Sequence, residues 1–218
     1  MDKTQLRAVA AQLAHPTGDK GDEVAGKMND TNALITERTI EALAPQAGEF
    51  IVELGPGNGV LSRGLVQTIS AAGRYLGIEV SRDMAPVAEK TLRAAGEARV
   101  DVHAGDCDGV SVDAASIDGL FAVNVLYFVD DLDALLGRIR PWFRTGSRCV
   151  FGIRPAKTLE SLRFDDFGYH IRSPENIEDA MRAHGFAKLG STHYDDGEGR
   201  LGDITFPVGS IIIKATAD

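Results

Sequence analysis

Glu53, Gly55, Gly57 and Gly59 stand within seven residues of one another, at the end of the apolar run Ile51-Val52-Glu53-Leu54. Glycine accepts positive φ and leaves no Cβ between the backbone and an approaching ligand. If a strand delivers this loop and a helix leaves it, backbone N–H groups and a positive helix end face whatever binds there. That chemistry suits a nucleotide-type cofactor. The spacing is G-x-G-x-G with Val60 where a dinucleotide fingerprint needs its last small residue, and no Gly-Lys-Ser/Thr follows as a phosphate loop requires.

Further polar groups recur at the expected ends of later strands. Glu79 closes a second apolar stretch, at about the spacing (roughly 20 residues on) where an acid meets a ribose in such folds. Val80 follows it. Asp106 and Cys107 follow a third strand, and Asn124 and Leu126 end the strongly apolar fourth. Each has an alternative role. Asp106, close to Asp108 and Asp113, also suits a turn cap, Asn124 can satisfy backbone groups, and Cys107 has no neighbouring base that would make it a nucleophile.

The elements that must carry these residues alternate. Strands are expected over 51–54, 74–80, 99–104, 119–125 and 148–153, with helices between them marked by Leu61, Leu65 and Ile69, by Met84, Val87, Ala88, Leu92 and Ala95, and by Leu132, Leu135, Leu136 and Ile139. Ser173-Pro174-Glu175 opens a further helix. Two β-rich runs, 187–194 and 206–215, flank the polar, glycine-rich 195–203 and predict a hairpin. Ahead of the first strand, Leu6, Val9, Ala10 and Leu13 share a helical face, and two more helices are expected over 22–28 and 31–44. The fold class is therefore α/β: a doubly wound, Rossmann-like sheet, mostly parallel, with a C-terminal antiparallel hairpin and a helical N-terminal lid. One domain over 1–218 is expected, with the lid at 1–48 and the core at 49–218.

Composition narrows the partners. The chain has 218 residues, a formal charge of −9, and hydrophobic and charged fractions of 44% and 25%, an ordinary globular mix. The charge and the lack of a basic run argue against nucleic acid as partner. Cys107 and Cys149 form no ligand or disulfide pattern, and no His/Cys/Asp/Glu spacing suggests a metal. The N-terminal residues lack a signal-like apolar core and no stretch is long enough to span a bilayer, so a cytoplasmic protein without a transmembrane segment is expected. Oligomeric state is not legible.

With Glu53 in place, E-x-G-x-G-x-G resembles the first motif of the class I S-adenosylmethionine-dependent methyltransferases, and the strand-end residues match that family in order from about residue 18 to the C-terminus. Met28-Asn29 ahead of the core is similar to the small-molecule, ubiquinone/menaquinone methyltransferase-like members. The Lys-Pro-Gly-Gly turn usual before strand five is replaced by Arg144-Thr145-Gly146-Ser147. The resemblance implies S-adenosyl-L-methionine as cofactor: Glu79 on the ribose, Asp106 on the adenine amino group, the Cys107 backbone on the ring, Gly55, Gly57 and the Gly59 region on the methionine part, and Asn124 and Leu126 closing the cleft. It implies a small-molecule acceptor of unread identity. A nicotinamide-dependent oxidoreductase and a non-catalytic S-adenosylmethionine-binding protein are the alternatives. No catalytic group stands out; His170 and Tyr127 are the candidates, and Arg154 is a further residue that the strand ends could bring to the pocket.

Overall fold

The computed structural model describes residues 3–14, 17, 19–162, 164–201 and 204–218. Seven strands form one sheet: β1 (Phe50–Leu54), β2 (Arg74–Glu79), β3 (Arg99–Ala104), β4 (Ile117–Val123), β5 (Phe143–Ile153), β6 (Phe186–Leu201) and β7 (Ile204–Ala217). Their order is β3-β2-β1-β4-β5-β7-β6. The first five pair in parallel, while β7 runs antiparallel to both β5 and β6. The chain winds outward from β1 through β2 to β3, then restarts on the other side of β1 with β4. The β1/β4 boundary is thus the point at which strand order reverses.

Both faces of the central strands are buried, which explains the continuous apolar runs. Along β1 the side chains alternate. Ile51 joins Leu65, Ile69, Tyr75, Phe121 and Val150 on one face, whereas Val52 and Leu54 join Leu120, Ala122, Leu136, Phe151 and Met181 on the other. The helices that supply these layers are α1 (Lys3–Ala14), α2 (Asp19–Leu43), α3 (Arg63–Ile69), α4 (Met84–Arg93), α5 (Leu132–Ile139), α6 (Ala156–Ser161) and α7 (Pro174–Ala183). Local signals start two of them: Asp131 accepts from Ala134 N, and Ser173 accepts from Asn176 N ahead of Pro174.

Three expectations are corrected. The segments 22–28 and 31–44 form one 25-residue helix, α2; Asn29 and Asp30 do not interrupt it, and Thr31 Oγ1 bonds back to Lys27 O at 3.0 Å. The C-terminal half of α2 is a layer of the sheet as well as a neighbour of its end. Ile35, Thr39 and Leu43 are buried, and the approach is so close that a Cβ on Gly152 would lie 2.3 Å from Thr39 Oγ1 and one on Gly119 2.9 Å from Leu43 Cδ1. The polar 195–203 stretch is strand for most of its length. Its Asp and Gly residues make a register shift between Asp195 and Glu198, with Gly197 at φ +85° and its N–H on Asp195 Oδ1 at 2.9 Å. Turn-forming residues also serve bulges, so composition alone misplaces the turn. The His15-Pro16 break and residues 202–203 lie outside the described residues.

Candidate functional site

A cavity of about 560 Å³ opens at the carboxyl ends of the parallel strands, beside the β1/β4 reversal. Strand β1 feeds it the glycine loop. Gly55, Gly57 and Gly59 sit at φ +71°, +59° and +77°, a region that other L-residues rarely adopt. Gly55 N–H donates to Ile78 O (2.9 Å), which ties the loop to β2. A Cβ on Gly55 would lie 2.6 Å from Val125 Cγ2, but one on Gly57 would meet nothing within 4 Å. Gly57 therefore presents bare backbone to open space, whereas Gly59 packs against Ala88 and Leu92 of α4 and does not line the cavity.

Glu79, at the end of β2, is buried and lines the cavity. Its carboxylate accepts from Gly57 N (2.8 Å) on one oxygen and from Ser81 N (2.8 Å) on the other. Two backbone donors fix its orientation. Val80 is half exposed beside it and also lines the cavity. Asp106 lines the wall after β3 while Oδ1 caps the next turn, accepting from Asp108 N (3.0 Å) and Gly109 N (3.2 Å). Asp106 thus caps a turn and lines the cavity at once.

Glu53 is more deeply set. Burial pushes its carboxyl up to about 7, against the opposing pull of the Ser62 and Tyr75 hydroxyls, and the Glu79 charge adds to the rise. The Tyr75 phenol donates to Glu53 Oε2; Ser62 Oγ lies buried nearby with no hydrogen bond of normal geometry. Cys107 lines the cavity too, and burial first, then Asp106 and Asp108, push its thiol up to about 11. The nucleophilic thiolate is therefore disfavoured.

Asn124 ends β4 at φ +56°. Its side-chain amide donates to Asn32 Oδ1 of α2 (2.9 Å), and its carbonyl accepts from Tyr127 Oη (3.0 Å). Asn tolerates the left-handed region better than most residues, and here the two side-chain hydrogen bonds and its own N–H on Gly152 O (2.8 Å) hold it there. Leu126 is buried behind the wall. Its carbonyl accepts from Arg172, which also holds the carbonyls of Val129 and Asp130 and so pins the 126–130 turn.

The two catalytic candidates lie outside the cavity lining. Tyr127 is buried; its oxygen accepts from Arg154 N–H, and burial pushes its phenol well above the usual range. His170 is an exposed residue whose Nε2 meets Asp130 Oδ1 at 2.8 Å, so it reaches the rim only through Asp130. Arg154 does not line the pocket either. It spans from α2 to the hairpin, donating to Thr31 O (2.7 Å) and Gly209 O (2.9 Å), and sits 3.6 Å from Asp196. Asp196 in turn pairs with Arg38 at 2.5 Å. Sequence reasoning passed over Thr36, Phe128 and Arg138, which line the cavity. Only Thr36 carried a signal: with Asn32 it makes a polar i, i+4 stripe on a helix whose neighbouring stripe, Ile35, Thr39 and Leu43, is buried.

Residues 51–146 match a family model described as "Methyltransferase domain". Over 75 residues, or 34% of this chain and 26% of the relative, the chain is 35% identical to a ribosomal RNA small subunit methyltransferase A of Burkholderia sp. Over 124 residues, 55% of this chain and 46% of the relative, it is 32% identical to an O-methyltransferase of Pyrenophora dematioidea. The chain thus spans between a quarter and half of these relatives. In fold it is similar to a Streptomyces coelicolor A3(2) geranyl diphosphate C-methyltransferase solved with Mg2+, geranyl diphosphate and S-adenosyl-L-homocysteine. The TM-score is 0.69 at 15% identity, covering 95% of this chain and 89% of that one. The matched stretch runs from β1 to the start of β5, and it is similar to a methyltransferase domain. The sheet is the doubly wound, mostly parallel, Rossmann-like one with a C-terminal antiparallel hairpin that the sequence implied.

Proposed function

We propose that this protein moves the methyl group of S-adenosylmethionine to a small-molecule acceptor. One observation carries the reading: four consecutive parallel strand ends deliver Gly57, Glu79, Asp106 and Asn124 to one cavity, with Glu79 locked by the glycine loop itself. A carboxylate held this way suits a ribose diol, and the open space at Gly57 suits a ligand laid against backbone. When bound, the cofactor supplies an electrophilic methyl on a sulfonium centre.

The proposed roles follow from position. Glu79 accepts the ribose hydroxyls. Asp106 takes the adenine amino group, with Val80 and the Cys107 backbone beside the ring. Gly55 and Gly57 admit the methionine part, and Glu53 faces its positive charge. Asn124 closes the cleft, whereas Gly59 and Leu126 support the walls from behind. The N-terminal half of α2, through Met28, Asn29 and Asn32, covers the cavity as a lid. Aligning two reactants and excluding water is the main contribution asked of the site, so no strong base is required when the acceptor is already nucleophilic.

A small acceptor is favoured over nucleic acid by charge. Glu53, Glu79, Asp106, Asp108, Asp130 and Asp131 line the cavity against a single Arg138, whose guanidinium is engaged by the carbonyls of Cys107, Asp108 and Val110. Such walls repel a phosphate backbone. Among the described residues no helix is long and apolar enough to cross a membrane, and both cysteines are free, in keeping with a reducing, cytoplasmic setting.

Thermal shift tests the cofactor assignment. S-adenosylhomocysteine should raise the melting temperature, by about 2.7 kcal/mol of stabilisation at a hundred times its Kd, whereas NAD and NADP should not. Equal stabilisation by NAD would overturn the reading in favour of an oxidoreductase. Acceptor screening with labelled donor then separates an enzyme from a protein that only binds the cofactor.

A further inference from the structure

The three glycines of the loop have their N–H groups engaged within the protein. Gly55 donates to Ile78 O (2.9 Å), Gly57 to Glu79 Oε2 (2.8 Å) and Gly59 to Pro56 O (2.9 Å). The methionine part of the donor carries a carboxylate beside its ammonium, and engaged N–H groups do not hold it. Arg138 does not serve either, because the carbonyls of Cys107, Asp108 and Val110 hold its guanidinium at the end proposed for adenine. The carboxylate needs side-chain donors, and α2 brings two to the cavity wall, Asn32 and Thr36, one helical turn apart. Thr36 is only 4% exposed, yet its hydroxyl has no hydrogen-bond partner among the described residues. A buried hydroxyl left in this way is costly, and a ligand atom is its natural partner.

The polarity of Asn32 is set from outside the cavity. The Arg154 backbone N–H can only donate, so the buried Tyr127 oxygen accepts from it. The Tyr127 proton then goes to Asn124 Oδ1 at 3.0 Å. Asn124 must turn its N–H2 towards Asn32, and Asn32 must meet it with its oxygen, at 2.9 Å. The N–H2 of Asn32 remains, and it donates to no described residue.

We propose that Tyr127 is a positioning residue for the donor: through Asn124 it sets the Asn32 amide so that its N–H2, together with the Thr36 hydroxyl, holds the donor's carboxylate. The inference rests on the methyltransferase reading and deepens it. Strand order agrees with the placement. Asp106 follows β3, Glu79 ends β2 and the glycine loop follows β1, so a ligand laid adenine-first along them brings its methionine end to β4 and α2. Neutral donors suit the place, because a Lys or Arg there would compete with the ammonium for Glu53. The acceptor is left the part of the cavity walled by Leu13, Ala14, Met28 and Phe128, from α1, α2 and the turn after β4. A second cavity, of about 440 Å³, lies behind Ala14 and Phe128, which separate the two.

Calorimetry on the full chain tests this with S-adenosylhomocysteine and its decarboxylated analogue, which keeps the ammonium. The unaltered protein should bind S-adenosylhomocysteine at least about tenfold more tightly than the analogue. Thr36→Val should weaken S-adenosylhomocysteine about tenfold and leave the analogue within about twofold. Asn32→Asp keeps the oxygen that Asn124 needs and sets a negative charge against the carboxylate, so the preference should fall at least about tenfold. Tyr127→Phe frees the Asn124 amide to turn over and should lower the preference at least about threefold. A residue that only shapes the wall would weaken both ligands alike. No preference in the unaltered protein, or an unchanged one in Thr36→Val and Asn32→Asp, would overturn the carboxylate site. An unchanged preference in Tyr127→Phe would overturn the positioning role. Should Tyr127→Phe fail to fold, Asn124→Asp decides: it draws the N–H2 of Asn32 to itself, turns the Asn32 oxygen to the cavity, and should lower the preference by a similar factor. Failure of the unaltered protein to bind S-adenosylhomocysteine at all would instead overturn the parent reading.

Discussion

The side we propose for the donor and the side we propose for the acceptor are held by different means. On the donor side, from β1 to the turn after β4, the working groups are backbone conformations and strand-end residues: three glycines at positive φ, and a carboxylate fastened by two backbone N–H groups. On the acceptor side, α1 and α2 are fastened to the core by side chains, as is the β6–β7 hairpin, which lines neither cavity. Arg154 reaches Thr31 and Gly209, Asn32 reaches Asn124, and Tyr169 reaches Ala10. A cofactor shared by many reactions can be served by a rigid backbone frame. An acceptor that differs between enzymes is better served by elements whose side-chain fastenings can vary while the frame stays intact.

That contrast predicts that the largest loss of stability follows from cutting a fastening of the acceptor side. Arg154→Met removes a buried charge from the Asp196–Arg38 cluster and leaves the carbonyls of Thr31 and Gly209 without their donor. We expect a loss of about 3–5 kcal/mol in denaturant unfolding, and faster hydrogen exchange in α2. A loss below about 1 kcal/mol would mean that the hairpin and α2 are held by packing alone.

Next, two glycines of one loop should respond differently. Gly59→Ala forces a Cβ to within 2.9 Å of Leu92 Cγ and 3.0 Å of Ala88 O at a φ of +77°. Strain and overpacking together should cost about 2–4 kcal/mol. Gly57→Ala meets no atom within 4 Å. It should cost stability only the backbone term of about 1–2 kcal/mol, while weakening S-adenosylhomocysteine by intruding on the cavity. Equal destabilisation by the two would break the division between packing and binding glycines.

Glu53 sharpens the comparison through pH. Its carboxyl is raised from 4.5 to about 7, so the folded protein keeps a proton that the unfolded chain releases. The stability it contributes is complete below about pH 4.5 and is lost as pH rises to about 7, on the order of 3 kcal/mol. The positively charged donor favours the ionised form, so donor affinity should increase as pH rises through 7. Glu53→Gln should flatten both profiles. A donor affinity that falls over the same range would remove Glu53 from the site.

A smaller loss is expected for Glu79→Gln, which keeps the shape and removes the charge. Donor affinity should fall roughly tenfold to a hundredfold, from about 1.5–3 kcal/mol of charged hydrogen bonding. The loss should appear as a raised donor KM at a nearly constant saturating rate. The smallest effect belongs to His170→Ala. An exposed ring outside the cavity lining should change the saturating rate by less than about twofold, and a hundredfold drop would restore it as the base.

Much of the donor side was legible because its determinants are local. Short apolar runs marked the strands, G-x-G-x-G marked the loop, and the residues that close each run pointed to Glu79, Asp106 and Asn124. Proximity in sequence misled where one composition serves two structures. Asp195 and Gly197 read as a turn and form a bulge, and Asn29-Asp30 read as a helix break inside a continuous α2. His170, after a loop beyond strand five, and Tyr127, near a strand end, stand where a substrate could lie, and nothing in their sequence neighbourhood reveals that Asp130 and Arg154 engage them.

The sequence by itself determined the α/β class, the glycine loop and the polar residues Glu79, Asp106 and Asn124 at strand ends, since these depend on φ preference, side-chain period and spacing within one βα unit. Tertiary structure alone decided that Asn32 would meet Asn124 across 92 residues, that Arg154 would join α2 to the hairpin, and that Phe128 would stand between the donor cavity and its neighbour. Those contacts depend on how packed layers bring distant segments together. A side chain's type records that it needs a partner; only the packing says which partner it finds.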